Sequence, residues 1–321
     1  MVIVTGAAGF IGSCLLARLN AKGITEIIIV DHLDNGFKKE NLRHKKFSQY
    51  HDKKDFLNLV AKGKVSPAVD TVIHMGACSS TTLQDRNYFL SNNYKYSCRL
   101  ADWCFKNSVR FIYASSAATY GDGKNGYRDD IKTIRACLPL NYYGESKQKF
   151  DEWILDNQFL ERCVGLKFFN VFGPNEYHKG EMQSVIAKAY PNVAKEGKMR
   201  LFKSYRKDYA HGEQKRDFIY VKDAIDVVMY FFEHADINGI YNVGTGKARS
   251  WNDVARALFD AVGKSSHIEY IDMPEYMRPR YQYFTQADMT KLRSVGFTQP
   301  FSELEDAAKD YVTYLKGHTY I

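Results

Sequence analysis

The chain has 321 residues, 45% hydrophobic and 26% charged, enough to bury a large core in one domain or two closely joined ones. Its net charge of +8 comes from scattered basic residues, densest at Lys38-Lys39 and Lys45-Lys46, so no basic stripe points to nucleic acid. A solubilising basic surface and an anionic ligand both fit that sign.

Val2 to Thr5 reads as a buried strand, followed by a helix from about Gly9 through Asn20. Ile27 to Val30 is a second strand ending at Asp31, and Thr71–His74 and Arg110–Tyr113 are further strands. Continuous β-branched runs separated by helices indicate a parallel sheet covered on both faces. The expected fold is therefore α/β, a Rossmann-type doubly wound parallel sheet. A helix is predicted from about Tyr143 to Asn157, then a strand Val164–Phe169 running into Asn170-Val171-Phe172-Gly173-Pro174. The stretch from Asn175 to Gln214, rich in Gly, Lys, Tyr and His, reads as loop-heavy. Strand and helix return at Asp217–Asp223 and Gly239–Gly244. The tail from Ser250 is mostly helical, with one strand near Ile268–Tyr270. These elements suggest a dinucleotide-binding domain of residues 1–172 plus about 217–246. A smaller, discontinuous C-terminal substrate lobe takes 173–216 and 247–321.

Six cysteines, with no C-x-x-C and no histidine cluster, read as free thiols rather than a metal site. No apolar run approaches the ~18 residues of a membrane span. Met1 leads at once into a strand, with no room for a signal peptide, so the expected location is the cytoplasm.

The chemistry gathers in a few motifs. Gly6, Gly9 and Gly12 form a loop that follows a strand and opens a helix, so the backbone can turn tightly and approach a pyrophosphate at the helix N-terminus. The spacing is G-x-x-G-x-x-G rather than G-x-G-x-x-G, but its position at residue 6 and Asp31 at the end of the second strand favour a dinucleotide over a tight turn without ligand. Asp31 can accept hydrogen bonds from a ribose, which favours NAD; Lys38 and Lys53 downstream can neutralise a 2′-phosphate, which favours NADP. The small residues of Met75-Gly76-Ala77-Cys78-Ser79 let a cofactor come close. Cys78 lacks an assignable activating histidine, so packing is its plainer role. Tyr143 and Lys147 lie four apart on one helix face, where the ammonium can lower the phenol's pKa from ~10. Ser116, 27 residues before Tyr143, sits past its strand on the carboxyl edge, placed to hold a substrate hydroxyl or to satisfy a loop.

Together these segments resemble the extended short-chain dehydrogenase/reductase superfamily. More narrowly, the chain is similar to the ADP-L-glycero-D-manno-heptose 6-epimerases. Val4–Ser13, Gly76–Thr82, Tyr113–Gly121, Phe169–Pro174, His178-Lys179-Gly180 and Phe284–Asp288 carry the likeness across nearly the whole chain. It implies NADP-dependent inversion at C6″ of an ADP-linked heptose, through a transient ketone and hydride return to the opposite face. The pathway implied is lipopolysaccharide inner-core assembly. Acid/base groups are then needed on both faces, which promotes Lys179 to partner Tyr143, with Lys147 on the nicotinamide ribose. By matching position, cofactor contacts come from Phe10, Ile11, Asp31, His32, Lys38, Lys53, Asn92, Lys147, Val171 and Lys179. Substrate contacts come from Ser116, Asn170, Glu181, Lys188, Phe202, Arg216 and Tyr281, with the Arg216 fork suited to a diphosphate. The chain departs from the family pattern at Met75 (Glu in relatives), Glu181 (Ser or Arg) and Lys188 (His). The resemblance also implies a homo-oligomer, pentamers being frequent in the family.

Two other readings compete. A UDP-hexose 4-epimerase would use the same cofactor loop and Tyr143 without needing Lys179. A non-catalytic dinucleotide sensor would have no use for Tyr143 and Lys147. A 4,6-dehydratase is disfavoured, because Ala117-Ala118 follow Ser116 where elimination needs an acid and a base.

Overall fold

The computed structural model describes residues 1–33 and 36–321. The strands in chain order are β1 (Val2–Thr5), β2 (Ile27–Asp31), β3 (Gln49–Asp52), β4 (Thr71–His74), β5 (Arg110–Ser116) and β6 (Cys163–Phe168). They continue with β7 (Asn170–Phe172), β8 (Met199–Phe202), β9 (Lys215–Tyr220), β10 (Gly239–Val243), β11 (Ala248–Ser250) and β12 (Ile268–Ile271). Among the described residues, the large sheet has seven strands in the order β10-β6-β5-β4-β1-β2-β3. All its pairs are parallel. From β3 to β6 this is the 3-2-1-4-5-6 order of the doubly wound fold, whose ligands bind where the order reverses beside β1.

The period of two explains the unbroken apolar runs at the middle of this sheet. Val2 and Val4 of β1, Ile27 and Ile29 of β2, Ile73 of β4 and Ile112 of β5 pack into a core with the helices Phe10–Ala21 and Val221–Glu233. Their neighbours Ile3, Ile28, Val30, Val72, Phe111 and Tyr113 face a second core, which holds Phe56, Leu100, Phe150 and Ile154 from other helices. Where both faces are buried, as along β1, β2 and β4, successive positions are apolar up to the strand ends.

Chain past β6 leaves the large sheet. β7 pairs with β9, and β9 with β11, in a three-stranded sheet; β8 pairs with β12. Only β10 returns to the large sheet, beside β6.

The structure differs from the sequence-based expectation at three places. The stretch from 175 to 214 is not mostly loop: it holds a 3-10 turn (Tyr177–Met182), a twelve-residue helix (Val185–Glu196) and β8. Ser184 caps that helix by accepting from Ala187 N, and Gly197 ends it in the left-handed conformation, both of which outweigh the internal Pro191. The strand begun at Arg110 continues to Ser116, so Ser116 is its last residue rather than part of a following loop. β3 has no counterpart among the expected strands, because an edge strand of Gln, Tyr, His and Asp has no apolar signal. Among the described residues no helix is long and apolar enough to cross a membrane.

Candidate active site

The glycine loop is held by backbone geometry. Gly6 has φ +67°, and a Cβ there would lie 2.6 Å from the Gly76 Cα. One on Gly12 would lie 2.1 Å from the Gly6 carbonyl oxygen. Both positions must be glycine for the turn to close. Gly9 caps the helix Phe10–Ala21 with no side-chain hydrogen bond, which leaves the first-turn N–H groups uncovered by any cap. The helices beginning after Asp52, Asp85, Asn141, Ser184 and Ser250 are all capped by those side chains. A bare, glycine-lined helix start at the reversal of strand order fits a pyrophosphate.

Asp31, buried at the end of β2, closes the loop: its Oδ2 accepts from Ala8 N at 2.8 Å, and its Oδ1 from His32 N at 2.7 Å and Lys38 Nζ at 3.3 Å. Lys38 also donates to the His32 carbonyl at 2.9 Å, and the exposed His32 ring meets Asp52 at 2.8 Å. Phe10 opens the helix beside Ile11, and the Lys179 ammonium stands 4.8 Å from the Phe10 ring centre. Lys179 is 3.5 Å from Glu176, a fully buried carboxylate that also accepts from Ser184 N, Ser184 Oγ and the Tyr311 hydroxyl. Among the described residues Lys179 makes no hydrogen bond to Tyr143 or Ser116.

A second group surrounds Tyr143. Lys53 donates to Asn92 Oδ1 at 2.7 Å, and Asn92 to Asn93 at 2.9 Å. Asn93 accepts from Cys78 N, donates to Cys78 O, and donates to Ser146 Oγ at 3.0 Å. Ser146 then donates to the Tyr143 carbonyl at 2.7 Å. Asn92 and Asn93 lie in a π-helical segment, Leu90–Lys95, whose extra residue per turn turns both amides into this network. Met75 N donates to Thr5 O at 3.0 Å and Gly76 N to Thr5 Oγ1 at 3.2 Å, so the run through Ala77, Cys78 and Ser79 begins tied to β1. Ser116 accepts from Ala118 N at 3.1 Å, and its hydroxyl lies on the side of the Tyr143 phenol, whose pKa it lowers.

The expected effect of Lys147 on Tyr143 is not what the structure holds. Burial pushes the phenol above its ordinary pKa; the nearby Ser116 hydroxyl pulls it down, and Cys78 and Asp151 raise it further. Lys147 instead donates to the Ala114 carbonyl at 2.6 Å, and burial lowers its own pKa to about 8 against the opposing charge of Asp151.

The third group lies beside the small sheets. Arg216 is 6% exposed, with its guanidinium 5.3 Å from the Tyr281 ring centre and 5.9 Å from that of Trp251. It donates to the carbonyls of Lys215 and Gln282, and burial lowers its pKa. Among the described residues it has no carboxylate partner. Glu181 and Lys188 are exposed and meet each other, Lys188 donating to the Glu181 carbonyl at 3.2 Å. Asn170 and Val171 start β7, Asn170 exposed, and Phe202 ends β8 half-buried.

A model of the NAD dependent epimerase/dehydratase family matches residues 2–244. The chain belongs to that family. An ADP-L-glycero-D-manno-heptose-6-epimerase of Nitratidesulfovibrio vulgaris strain DP4 is 50% identical to it over 312 residues, 97% of each chain. One of Fusobacterium nucleatum subsp. nucleatum is 44% identical over 322 residues, again 97% of each. The crystal structure of the Helicobacter pylori protein of that name is 28% identical, with a TM-score of 0.81 over 98% of this chain and 96% of that one. Within the epimerase/dehydratase family the chain is therefore an epimerase, an enzyme of the isomerase class.

The sequence reading missed Asn93, Glu176 and the buried pair Asp151–Lys167. One signal was available: Lys167 interrupts an otherwise apolar strand, and a charge there requires a buried partner.

Proposed function

We propose that the chain converts ADP-D-glycero-D-manno-heptose to ADP-L-glycero-D-manno-heptose by inversion at C6″, in lipopolysaccharide inner-core heptose biosynthesis. The observation that carries this reading is Ser116 at the carboxyl end of a parallel strand with Tyr143 and Lys147 on the helix packed against it, in a chain half identical to epimerases of that name. When bound, NADP supplies reversible hydride transfer at the carbinol carbon, so inversion leaves no net redox. The glycine loop, Phe10, Ile11 and the run Met75–Ser79 would hold it. Asp31 is already engaged by Ala8, His32 and Lys38, and Lys38 and Lys53 stand downstream, which supports NADP over NAD.

Ser116 holds the C6″ oxygen. Tyr143, whose proton burial favours, gives it to that oxygen as hydride returns on one face, and the phenolate so formed takes the proton back when the direction reverses. Lys179, held by Glu176 over Phe10, serves the other face once the ketone has turned. Arg216, a buried guanidinium with no carboxylate partner among the described residues, takes the diphosphate, and Tyr281 packs beside it. Asn170, Glu181, Lys188 and Phe202 complete the sugar side, in a lobe of residues 173–216 and 247–321. The working form is a cytoplasmic homo-oligomer.

The test is to incubate the purified protein with ADP-D-glycero-β-D-manno-heptose and follow C6″ by NMR, first without added cofactor and then with NADP⁺. The expected result is an epimer mixture without net NADPH. Folded, dinucleotide-loaded protein that converts nothing would reject the heptose and direct the search to UDP- and dTDP-hexoses.

A further inference from the structure

Beneath the Tyr143–Ser116 pair, β5, β6 and the helix Tyr142–Asp156 meet on a buried ion pair. Lys167 Nζ lies 2.6 Å from Asp151 Oδ2, and both side chains are 0% exposed. Asp151 also accepts from the Tyr113 hydroxyl at 2.9 Å and the Ser115 hydroxyl at 2.7 Å. Lys167 donates to Thr119 Oγ1 at 2.9 Å and stands 5.1 Å from the Tyr120 ring centre. Thr119 in turn donates to the main-chain oxygen of Ser116 at 2.8 Å. The pair thus grips Ser116 from the residue before it and from its own carbonyl. It does so from the helix that carries Tyr143, one turn beyond Lys147.

Packing alone does not account for this arrangement. Taking two charges out of water is costly, and an apolar pair of equal volume is as stable or more so. We propose that Asp151 and Lys167 are positioning residues for the epimerisation, fixing Ser116 against the Tyr143–Lys147 helix and setting the field in which those groups exchange protons. The inference rests on the reading of Tyr143, Ser116 and Lys147 as the reacting groups. Lys147 is faced by Asp151 on its own helix, by the neutral His74 of β4 and by the Ala114 carbonyl of β5. Tyr143 is faced by Ser116, Cys78 and Asp151. Asp151 opposes the burial that lowers Lys147, and it adds to the burial that raises Tyr143. Removing its charge therefore lowers both pKa values.

The experiment uses the full chain carrying Asp151→Leu with Lys167→Met, an apolar pair chosen so that the variant folds, beside Lys167→Arg. Initial epimerisation rates are measured against pH. Separately, the Lys147 signal is titrated by NMR in protein labelled at the lysine ε-carbon and assigned with Lys147→Arg. The double variant is expected to keep its Tm and to lose about tenfold or more in kcat, with KM within about twofold. Both limbs of its pH profile, and the Lys147 titration, should move toward acid by about 1 on the pH scale. Lys167→Arg, which keeps the ion pair, should restore the wild-type profile. An unshifted Lys147 titration in the double variant overturns the proposal whatever the rate does. A wild-type protein that leaves the heptose unconverted would instead remove the proposed substrate, and the titration would still decide the role of the pair.

Discussion

At the scale of single residues, the chain offers two acid/base groups with different surroundings. Tyr143 is partly buried against Ser116 and keeps its proton at neutral pH. Lys179 sits apart from it, over Phe10 and beside Glu176. If each serves one face of C6″, Tyr143→Phe and Lys179→Met should each cut turnover by about 10²–10⁴-fold without unfolding the protein. The double variant should lose nearly all of it. NMR rates for the three proteins test this, and wild-type turnover in Lys179→Met would remove Lys179 from the mechanism. Arg216 should behave differently. It bonds main-chain carbonyls and stands near two rings, so on the proposed reading Arg216→Met removes a charge that acts on the ligand's diphosphate rather than on the reacting carbon. A bidentate charge-assisted contact is worth about 1.5–3 kcal/mol, so KM should rise roughly tenfold to a hundredfold while kcat changes little. A loss confined to kcat would contradict a binding role.

At the scale of elements, the strand–turn–helix at the N-terminus separates space from chemistry. A Cβ on Gly12 would lie 2.1 Å from a carbonyl oxygen, whereas one on Gly9 would meet the same oxygen at 3.1 Å. Gly9 also has an ordinary φ of −76°. Gly12→Ala should therefore lower Tm by several degrees and abolish dinucleotide binding. Gly9→Ala should nearly keep Tm but still weaken binding if the proposed pyrophosphate approaches this helix start, where the added methyl would stand. Thermal melts and fluorescence titration with NADPH measure both quantities; equal Tm losses would mean that Gly9 is as confined as Gly12. This turn was legible in the sequence, as were Ser116, Tyr143 and Lys147, because strand order and helix spacing place them locally. The Asp151–Lys167 pair was not, since its partners are 16 positions apart on different elements. Glu176 and Tyr311 meet across 135 positions, which no local pattern encodes. The polar edge strand β3 and the proline-containing helix Val185–Glu196 were missed for a related reason: tertiary pairing, not propensity, makes them.

At the scale of the whole molecule, a buried and a half-buried histidine link the site to acid stability. His74, on β4, lies 2.5 Å from Thr5 Oγ1 and 2.8 Å from Ser97 Oγ, and burial lowers its pKa to about 3. His178 precedes Lys179, contacts Asn41, and is lowered to about 4 by burial and by the charges of Lys38 and Lys179. In the unfolded chain both titrate near ~6.5. Between about pH 6.5 and 4 the unfolded chain therefore binds more protons than the folded one. The stability these groups contribute is fully present above pH 6.5 and falls with pH through that window. A tenfold difference in proton affinity between the two states corresponds to ~1.4 kcal/mol, so the two histidines together reach several kcal/mol, a large part of an ordinary domain's stability. Asp129, Asp217 and Asp223, whose pKa values burial raises, act in the opposite sense at the acid end. Tm should accordingly drop between pH 7 and pH 4. His74→Asn, which keeps a polar group facing Thr5, should start lower but show a flatter slope over the same range. A variant curve parallel to wild type would exonerate His74. Because His74 faces Lys147, its protonation would set a second cation against that ammonium, so activity should fail at or above the pH at which the fold does.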